Sequence, residues 1–190
     1  MKKLMIAAAV ALAAIVSQAA TFDWSIADLQ NANGEALDGG YVYTFSSKEG
    51  TIKTTDALIE ALTAAKTGDD IQAIANQSFS ALNGAVSEGT FAKTDITPSD
   101  SGLTPGKLGT KLFALVTDTA TITDSTKWYV TDYSASAKVP TDDGITPASY
   151  EIIDEGSHSS ENWKGSAAPE PTTGLLMLVG LAGLALRRRA

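Results

Sequence analysis

The fold is decided by one apolar stretch, Lys111-Leu112-Phe113-Ala114-Leu115-Val116-Thr117. Neighbouring side chains of a β-strand point to opposite faces of the sheet. Five successive apolar residues therefore fill both faces here, which is typical of a strand that is buried on both sides. The stretch predicts the central strand of a sheet.

Aromatic residues mark two further strands nearer the N-terminus. Residues 22–26 and 41–45 place aromatic or aliphatic side chains at every second position, and Asp38-Gly39-Gly40 supplies a turn before the second run. This period of two indicates half-buried strands. Glycines and prolines in residues 85–109 predict a long loop. The remaining predicted strands are Thr90 to Ala92 within that loop, Thr119 to Thr123 and Lys127 to Tyr133 as a hairpin about Asp124-Ser125, and Ser149 to Ile153.

Between these strands the period changes to that of a helix. Thr54-Thr55-Asp56 can cap a first helix that ends near Gly68, and Asp69-Asp70 can cap a second that stops at Asn83-Gly84. Together they predict a helical hairpin. The apolar faces are Leu58, Ile59, Leu62 and Ala65 in the first helix, and Ile71, Ala75, Phe79 and Leu82 in the second.

These elements predict an α+β or mainly β fold, a small antiparallel sheet or sandwich with an inserted helical hairpin. A chain of 190 residues accommodates one such domain with appendages. No internal repeat is visible, which weighs against a solenoid. The predicted core is Trp24, Ile26, Tyr43, Phe45, Leu62, Phe79, Leu112, Leu115, Trp128 and Val130.

The charges are divided unevenly along the chain. Five of the 14 basic residues lie at the two ends, so nine lysines and no arginine accompany all 22 acidic residues between Asp23 and Glu170. Nucleic acid is excluded as a partner, because phosphate binding needs clustered lysine and arginine. Cysteine is absent, which excludes disulfides, thiolate catalysis and cysteine-bound metals.

The first 19 residues have the order of parts of a secretory signal peptide. Lys2 and Lys3 precede the uncharged apolar run from Leu4 to Val16, and Ser17 and Ala19 are the small residues that signal peptidase reads. The alternative is a membrane anchor, but a helix of this run spans only about 20 Å of a hydrocarbon core of about 30 Å. We expect cleavage before Ala20.

The C-terminal end is built from four parts. A small-residue linker, residues 165–168, leads to Pro169-Glu170-Pro171, and an uncharged span of about residues 172–186 leads to Arg187-Arg188-Arg189. The span is apolar on every side, which suits a transmembrane helix, and the arginines would stop it at the cytoplasmic face. A buried core helix is the alternative, since the span is short for a bilayer. A triple arginine has no role in a core.

The order Pro169-Glu170-Pro171, glycine- and leucine-rich span and arginine cluster resembles the PEP-CTERM sorting signal of Gram-negative bacteria. The resemblance covers about residues 168–189. It implies recognition by exosortase, a membrane-embedded cysteine transpeptidase, followed by release or attachment at the cell surface. Proteins with this tail are commonly associated with extracellular polysaccharide. The resemblance implies nothing about the chemistry of the domain at residues 20–164.

Candidate chemistry in that domain is sparse. The single histidine, His158, lies among serines but lacks the G-x-S-x-G arrangement of a hydrolase, so we interpret it as a solvated loop residue. Asp69-Asp70, Asp142-Asp143-Gly144 and Asp154-Glu155 could hold calcium, although a helix cap and two turns explain them more simply. Asn76-Gln77-Ser78 is a glycosylation sequon on a predicted helix, and Trp163 is either a sugar-stacking or an ordinary half-buried tryptophan. The sequence predicts no catalytic residue, metal ligand or cofactor.

The sequence as a whole predicts an exported, non-enzymatic surface or matrix protein. Its precursor would be anchored in the inner membrane, and its partners would be signal peptidase, exosortase, the membrane and extracellular polysaccharide. One rival is a secreted carboxylate-dependent glycan hydrolase that uses Asp142 or Glu151. Another is an ice- or mineral-binding protein with a threonine row at Thr119, Thr121 and Thr123.

Overall fold

The computed structural model describes residues 20–122, 127–134, 139–141, 149–154, 156 and 158–165. Within these residues the protein has a mixed α+β fold with two sheets and three helices, so the predicted class is confirmed in this coarser form. Several predicted features lie outside the described residues. They are the signal peptide with Ser17 and Ala19, the Asp124-Ser125 turn, Asp142-Asp143-Gly144, Glu155, and the tail with Pro169, Glu170, Pro171, Arg187, Arg188 and Arg189.

The described strands are β1 (Thr21–Ile26), β2 (Tyr41–Ser46), β3 (Gly84–Ala85), β4 (Phe91–Ile96), β5 (Leu112–Thr117), β6 (Lys127–Val130), β7 (Ser149–Asp154) and β8 (Lys164–Gly165). The described helices are α1 (Thr55–Ala64), α2 (Gly68–Ala75) and α3 (Pro98–Ser101), with 3-10 turns at Ser80–Leu82 and Ser160–Asn162.

The strands form a three-stranded sheet in the order β4-β1-β7 and a five-stranded sheet in the order β3-β2-β5-β6-β8. All described pairings are antiparallel except that of β1 with β7, which is parallel. The prediction of an antiparallel sheet was wrong for this pair. The two strands come from opposite ends of the domain, and no local pattern shows which way they run past each other.

The central strand behaves as predicted. β5 is fully buried and occupies the middle of the five-stranded sheet. Ala114 and Val116 face a cluster shared with Trp24 and Ile26 of the three-stranded sheet. Phe113 on the opposite face belongs to a second cluster, which the helices cover. The protein is therefore layered as sheet, sheet and helical hairpin, because β5 has apolar side chains to bury on both faces.

The helical hairpin is confirmed, but its second half is shorter than predicted. α1 begins as expected, with the Thr54 side chain accepting the N–H of Ala57. α2 is capped by Thr67 rather than by Asp69-Asp70, in a reciprocal capping box with Asp70, and it ends at Ala75. Threonine three positions before an acid is the stronger cap, which the acidic doublet concealed. Phe79 and Leu82 therefore lie beyond the helix.

Of two further strands predicted in the loops, one is longer than expected and the other was wrong. The strand expected at Thr90 to Ala92 is longer, because β4 continues to Ile96 along β1 through a register shift near Phe22 and Trp24. Thr119 to Ile122 form bends and a 3-10 turn instead of a hairpin strand, and β6 pairs with β5. Polar edge residues hid the first strand, and threonine propensity alone suggested the second.

The predicted core is largely confirmed. Tyr43, Phe79 and Val130 are only partly buried, whereas the other seven residues are buried. No helix within the described ranges is long and apolar enough to cross a membrane. The span predicted at residues 172–186 lies outside them.

Candidate functional site

The most unusual polar group in the described part of the chain is a buried cluster of Tyr129, Asp154 and His158. Tyr129 comes from β6 and Asp154 ends β7, while His158 lies in the segment that leads to β8. Tyr129 is 1% exposed, and Asp154 and His158 are each 3% exposed. The interpretation of His158 as a solvated loop residue was wrong. His158 is buried beside the ring of Tyr129, which the flanking serines did not indicate.

The three side chains lie close together but do not satisfy one another. His158 Nε2 is 3.5 Å from Asp154 Oδ1, too long for a good hydrogen bond, and the His158 ring centroid lies 6.0 Å from that of Tyr129. Asp154 Oδ1 accepts the N–H of Gly156 at 2.8 Å. Within the part of the chain that the structure describes, Tyr129 Oη, Asp154 Oδ2 and His158 Nε2 are buried without a hydrogen-bond partner. Buried polar atoms of this kind are rare and need an explanation.

Electrostatics distinguish the phenol of this cluster. Burial, and secondarily the negative charge of Asp154, raise the pKa of Tyr129 far above its usual range. Both effects disfavour the phenolate. Tyr129 is therefore a neutral phenol when nothing positive is bound beside it.

The segment around His158 is held in place by hydrogen bonds to Gln30, which lies near the N-terminal end of the domain in sequence. Trp163 packs edge-on against Tyr129 with ring centroids 4.9 Å apart, and its indole N–H donates to Gln30 O at 2.7 Å. The Gln30 N–H in turn donates to His158 O at 3.1 Å. Trp163 is half-buried and packs against the core, as the second of the two interpretations expects, while sugar stacking stays untested.

A cleft of about 250 Å³ adjoins the cluster. His158 lines this cleft together with the acidic residues Asp132 and Glu161 and the basic residue Lys164. Of the three residues of the cluster, only His158 lines this cleft.

A second cleft, of about 390 Å³, lies between two loops that carry Asp28 and Glu88. Both residues have positive φ, 55° and 51°. Glu88 and Gly89 are the central residues of a tight turn that Ser87 and Thr90 close, so turn geometry accounts for the conformation of Glu88.

The other described candidate residues lie apart from these clefts. Asp70 is committed to the α2 cap, and Asn76 stands just beyond that helix with its side chain accepting from Gln72. Glu151 is exposed on β7. Within the described residues, no three histidine, cysteine, aspartate or glutamate side chains are placed to hold a metal ion.

The carboxylate of Glu49, which lines neither of these clefts, is held by Thr104 and Lys107. Both oxygens of Glu49 accept the backbone N–H of Thr104 at 2.9 Å, and Lys107 Nζ lies 3.4 Å from Oε1. Burial raises the pKa of Glu49, but the hydrogen bonds from Thr104 and Lys107 together outweigh burial and hold this pKa below its usual value.

Comparison with known proteins identifies the tail. Residues 167–189 match the PEP-CTERM protein-sorting motif, which confirms the resemblance drawn from the sequence. The motif implies an exported protein that exosortase processes and sorts to the cell surface. No curated protein and no solved structure significantly matches the chain.

Proposed function

We propose that this protein is a non-enzymatic component of the cell surface or extracellular matrix, associated with extracellular polysaccharide. The match of residues 167–189 to the PEP-CTERM motif carries the proposal, because that motif implies export and exosortase sorting. In this proposal the C-terminal tail directs the sorting, and the folded domain is the part that is delivered to the cell surface.

The route has three steps. Signal peptidase cleaves after Ala19 and releases the mature N-terminus. The apolar span at residues 172–186 holds the precursor in the inner membrane, with Arg187-Arg188-Arg189 on the cytoplasmic side. Exosortase then acts at Pro169-Glu170-Pro171, where two prolines keep the backbone extended and free of helix.

The surface chemistry supports a matrix role. Acidic residues greatly outnumber lysines between the two terminal segments, and a high net charge keeps a protein soluble and limits its non-specific association. The many serine and threonine hydroxyls could also accept O-linked glycans. An enzymatic role finds little support, because His158 and Asp154 are both shielded from substrate at 3% exposure.

The sorting step is tested by the intact mass of the protein from its native host, measured in each cell fraction. We expect a chain that starts near Ala20 and ends near Pro169 to Pro171, outside the inner membrane. Substitution of Pro169, Glu170 and Pro171 by alanine should leave the unprocessed chain in the membrane. The matched control, Thr172→Ala with Thr173→Ala, should be processed normally. A wild-type chain that extends through Ala190 in the membrane would contradict the proposed processing.

The matrix association needs its own assay. The released protein should co-sediment with the polysaccharide fraction of its host and dissociate when that fraction is digested enzymatically. A released protein that stays in the supernatant at every polysaccharide concentration would refute the association and leave the sorting intact.

A further inference from the structure

Among the described residues, each side chain of the buried cluster has one polar atom without a hydrogen-bond partner: Tyr129 Oη, Asp154 Oδ2 and His158 Nε2. If His158 carries its proton on Nε2, its nearest acceptor is Asp154 Oδ1 at 3.5 Å, beyond a good hydrogen bond. If Nε2 is unprotonated, its lone pair faces the lone pairs of a carboxylate. Neither arrangement gives His158 Nε2 a good partner, whereas a cation held between His158 and Asp154 would.

We propose that Tyr129, Asp154 and His158 bind a transition-metal cation of the Zn²⁺ class. Imidazole nitrogen and carboxylate oxygen are ordinary ligands of such ions, at about 2.0–2.2 Å. Two ligands on one tetrahedral ion at these bond lengths are about 3.4 Å apart. His158 Nε2 and Asp154 Oδ1 are separated by 3.5 Å, so the pair is already spaced to share an ion.

The third donor is the phenol of Tyr129, a less common metal ligand than histidine, cysteine or a carboxylate. The ring centroids of Tyr129 and His158 are 6.0 Å apart, and Tyr129 Oη is buried without a hydrogen-bond partner among the described residues. A dication would neutralise the buried carboxylate, which is otherwise a costly buried charge. The phenol oxygen would complete three protein ligands.

The surroundings suit a site of this kind. Gly156 lies between two of the ligands, and a Cβ at this position would stand 2.9 Å from Asp154 Oδ1 and 3.3 Å from His158 Cε1. Its N–H fixes the Asp154 carboxylate through Oδ1, which orients the ligand as outer-shell hydrogen bonds commonly do. His158 also lines a cleft with the acidic residues Asp132 and Glu161, whose charges attract a cation to this side of the cluster.

The test is a calorimetric titration of the full chain with ZnCl₂ in mild detergent, with native mass spectrometry to count bound ions. We expect one zinc ion per chain and an unfolding midpoint that rises with zinc concentration. Tyr129→Phe keeps the ring packed on Trp163 and should weaken zinc binding at least about tenfold. His158→Gln should abolish it.

Two matched controls separate the site from ordinary surface binding. Glu88→Gln removes an exposed carboxylate from the second cleft, and Tyr133→Phe removes a hydroxyl from a tyrosine outside the cluster. Both should bind zinc as the wild type does. A wild type that takes up no zinc would overturn the proposal, and so would zinc affinity that Tyr129→Phe leaves unchanged. If His158→Gln fails to fold, Tyr129→Phe alone decides the outcome.

Discussion

Replacing Thr44 by valine tests the polar link that joins the two sheets. Thr44 is fully buried in β2, where its hydroxyl donates to Leu82 O at 2.8 Å and accepts the indole N–H of Trp24 at 3.0 Å. Valine has nearly the same shape, so packing is preserved while both bonds are lost. A buried group left unsatisfied costs about 1–3 kcal/mol. We therefore expect Thr44→Val to lower the free energy of unfolding by about 2–4 kcal/mol.

The measurement is urea unfolding of the full chain in mild detergent, followed by far-UV circular dichroism. In a Trp24→Phe background the indole donor is absent, so Thr44→Val should cost about 1 kcal/mol less there. Thr63→Val is the matched control, because its hydroxyl bonds Ile59 O on an exposed helix face and should change stability by less than about 0.5 kcal/mol. A cost for Thr44→Val that is equally small, or unchanged by Trp24→Phe, would refute the reasoning.

Three further predictions concern local structure. Thr67→Ala removes the α2 cap and should cost about 1 kcal/mol in urea unfolding, whereas no change would mean that tertiary packing alone holds this helix. Because the pKa of Glu49 is lower in the folded chain than in the unfolded chain, its contact with Thr104 stabilises the fold above the usual carboxyl range and is lost as the pH falls through the folded pKa. Glu49→Gln should therefore flatten the fall in unfolding midpoint between pH 7 and about pH 3, and an unaltered pH profile would contradict this. Gly40→Ala would place a Cβ 2.6 Å from Thr117 O, so a lowered thermal unfolding midpoint is expected, and an unchanged one would show that the backbone yields freely.

Local sequence patterns correctly predicted the elements whose burial can be recognised from a short run of consecutive residues. The apolar run at 111–117 identified the central strand, and the Thr54 cap identified the start of α1. Strand partners were harder to predict, because the choice between β5 and residues 119–123 as the neighbour of β6 depends on contacts distant in sequence. The parallel course of β7 beside β1 depends on the same kind of contact.

The buried cluster shows a different limit. His158 and Asp154 stand four residues apart in a polar stretch that gives every sign of a surface loop. Their burial follows from the last strands of the two sheets, β7 and β8, which hold each end of the segment, and from Trp163. A spacing of four residues between aspartate and histidine was the available signal. Tyr129 offered none, since tyrosines in strands are usually core residues.

The parallel pairing of β1 with β7 sets the order in which this exported chain can fold. Thr21 is aligned with Ser149, and Ile26 with Asp154, so β1, which also pairs with β4, gains this second neighbour only after nearly the whole domain has crossed the membrane. Contacts so distant in sequence slow folding, because the intervening loop must close first. Until then one side of β1 stays open and its apolar side chains are only partly covered. Completion of the fold is thereby delayed until shortly before the sorting tail arrives, which suits cargo that must remain extended during translocation.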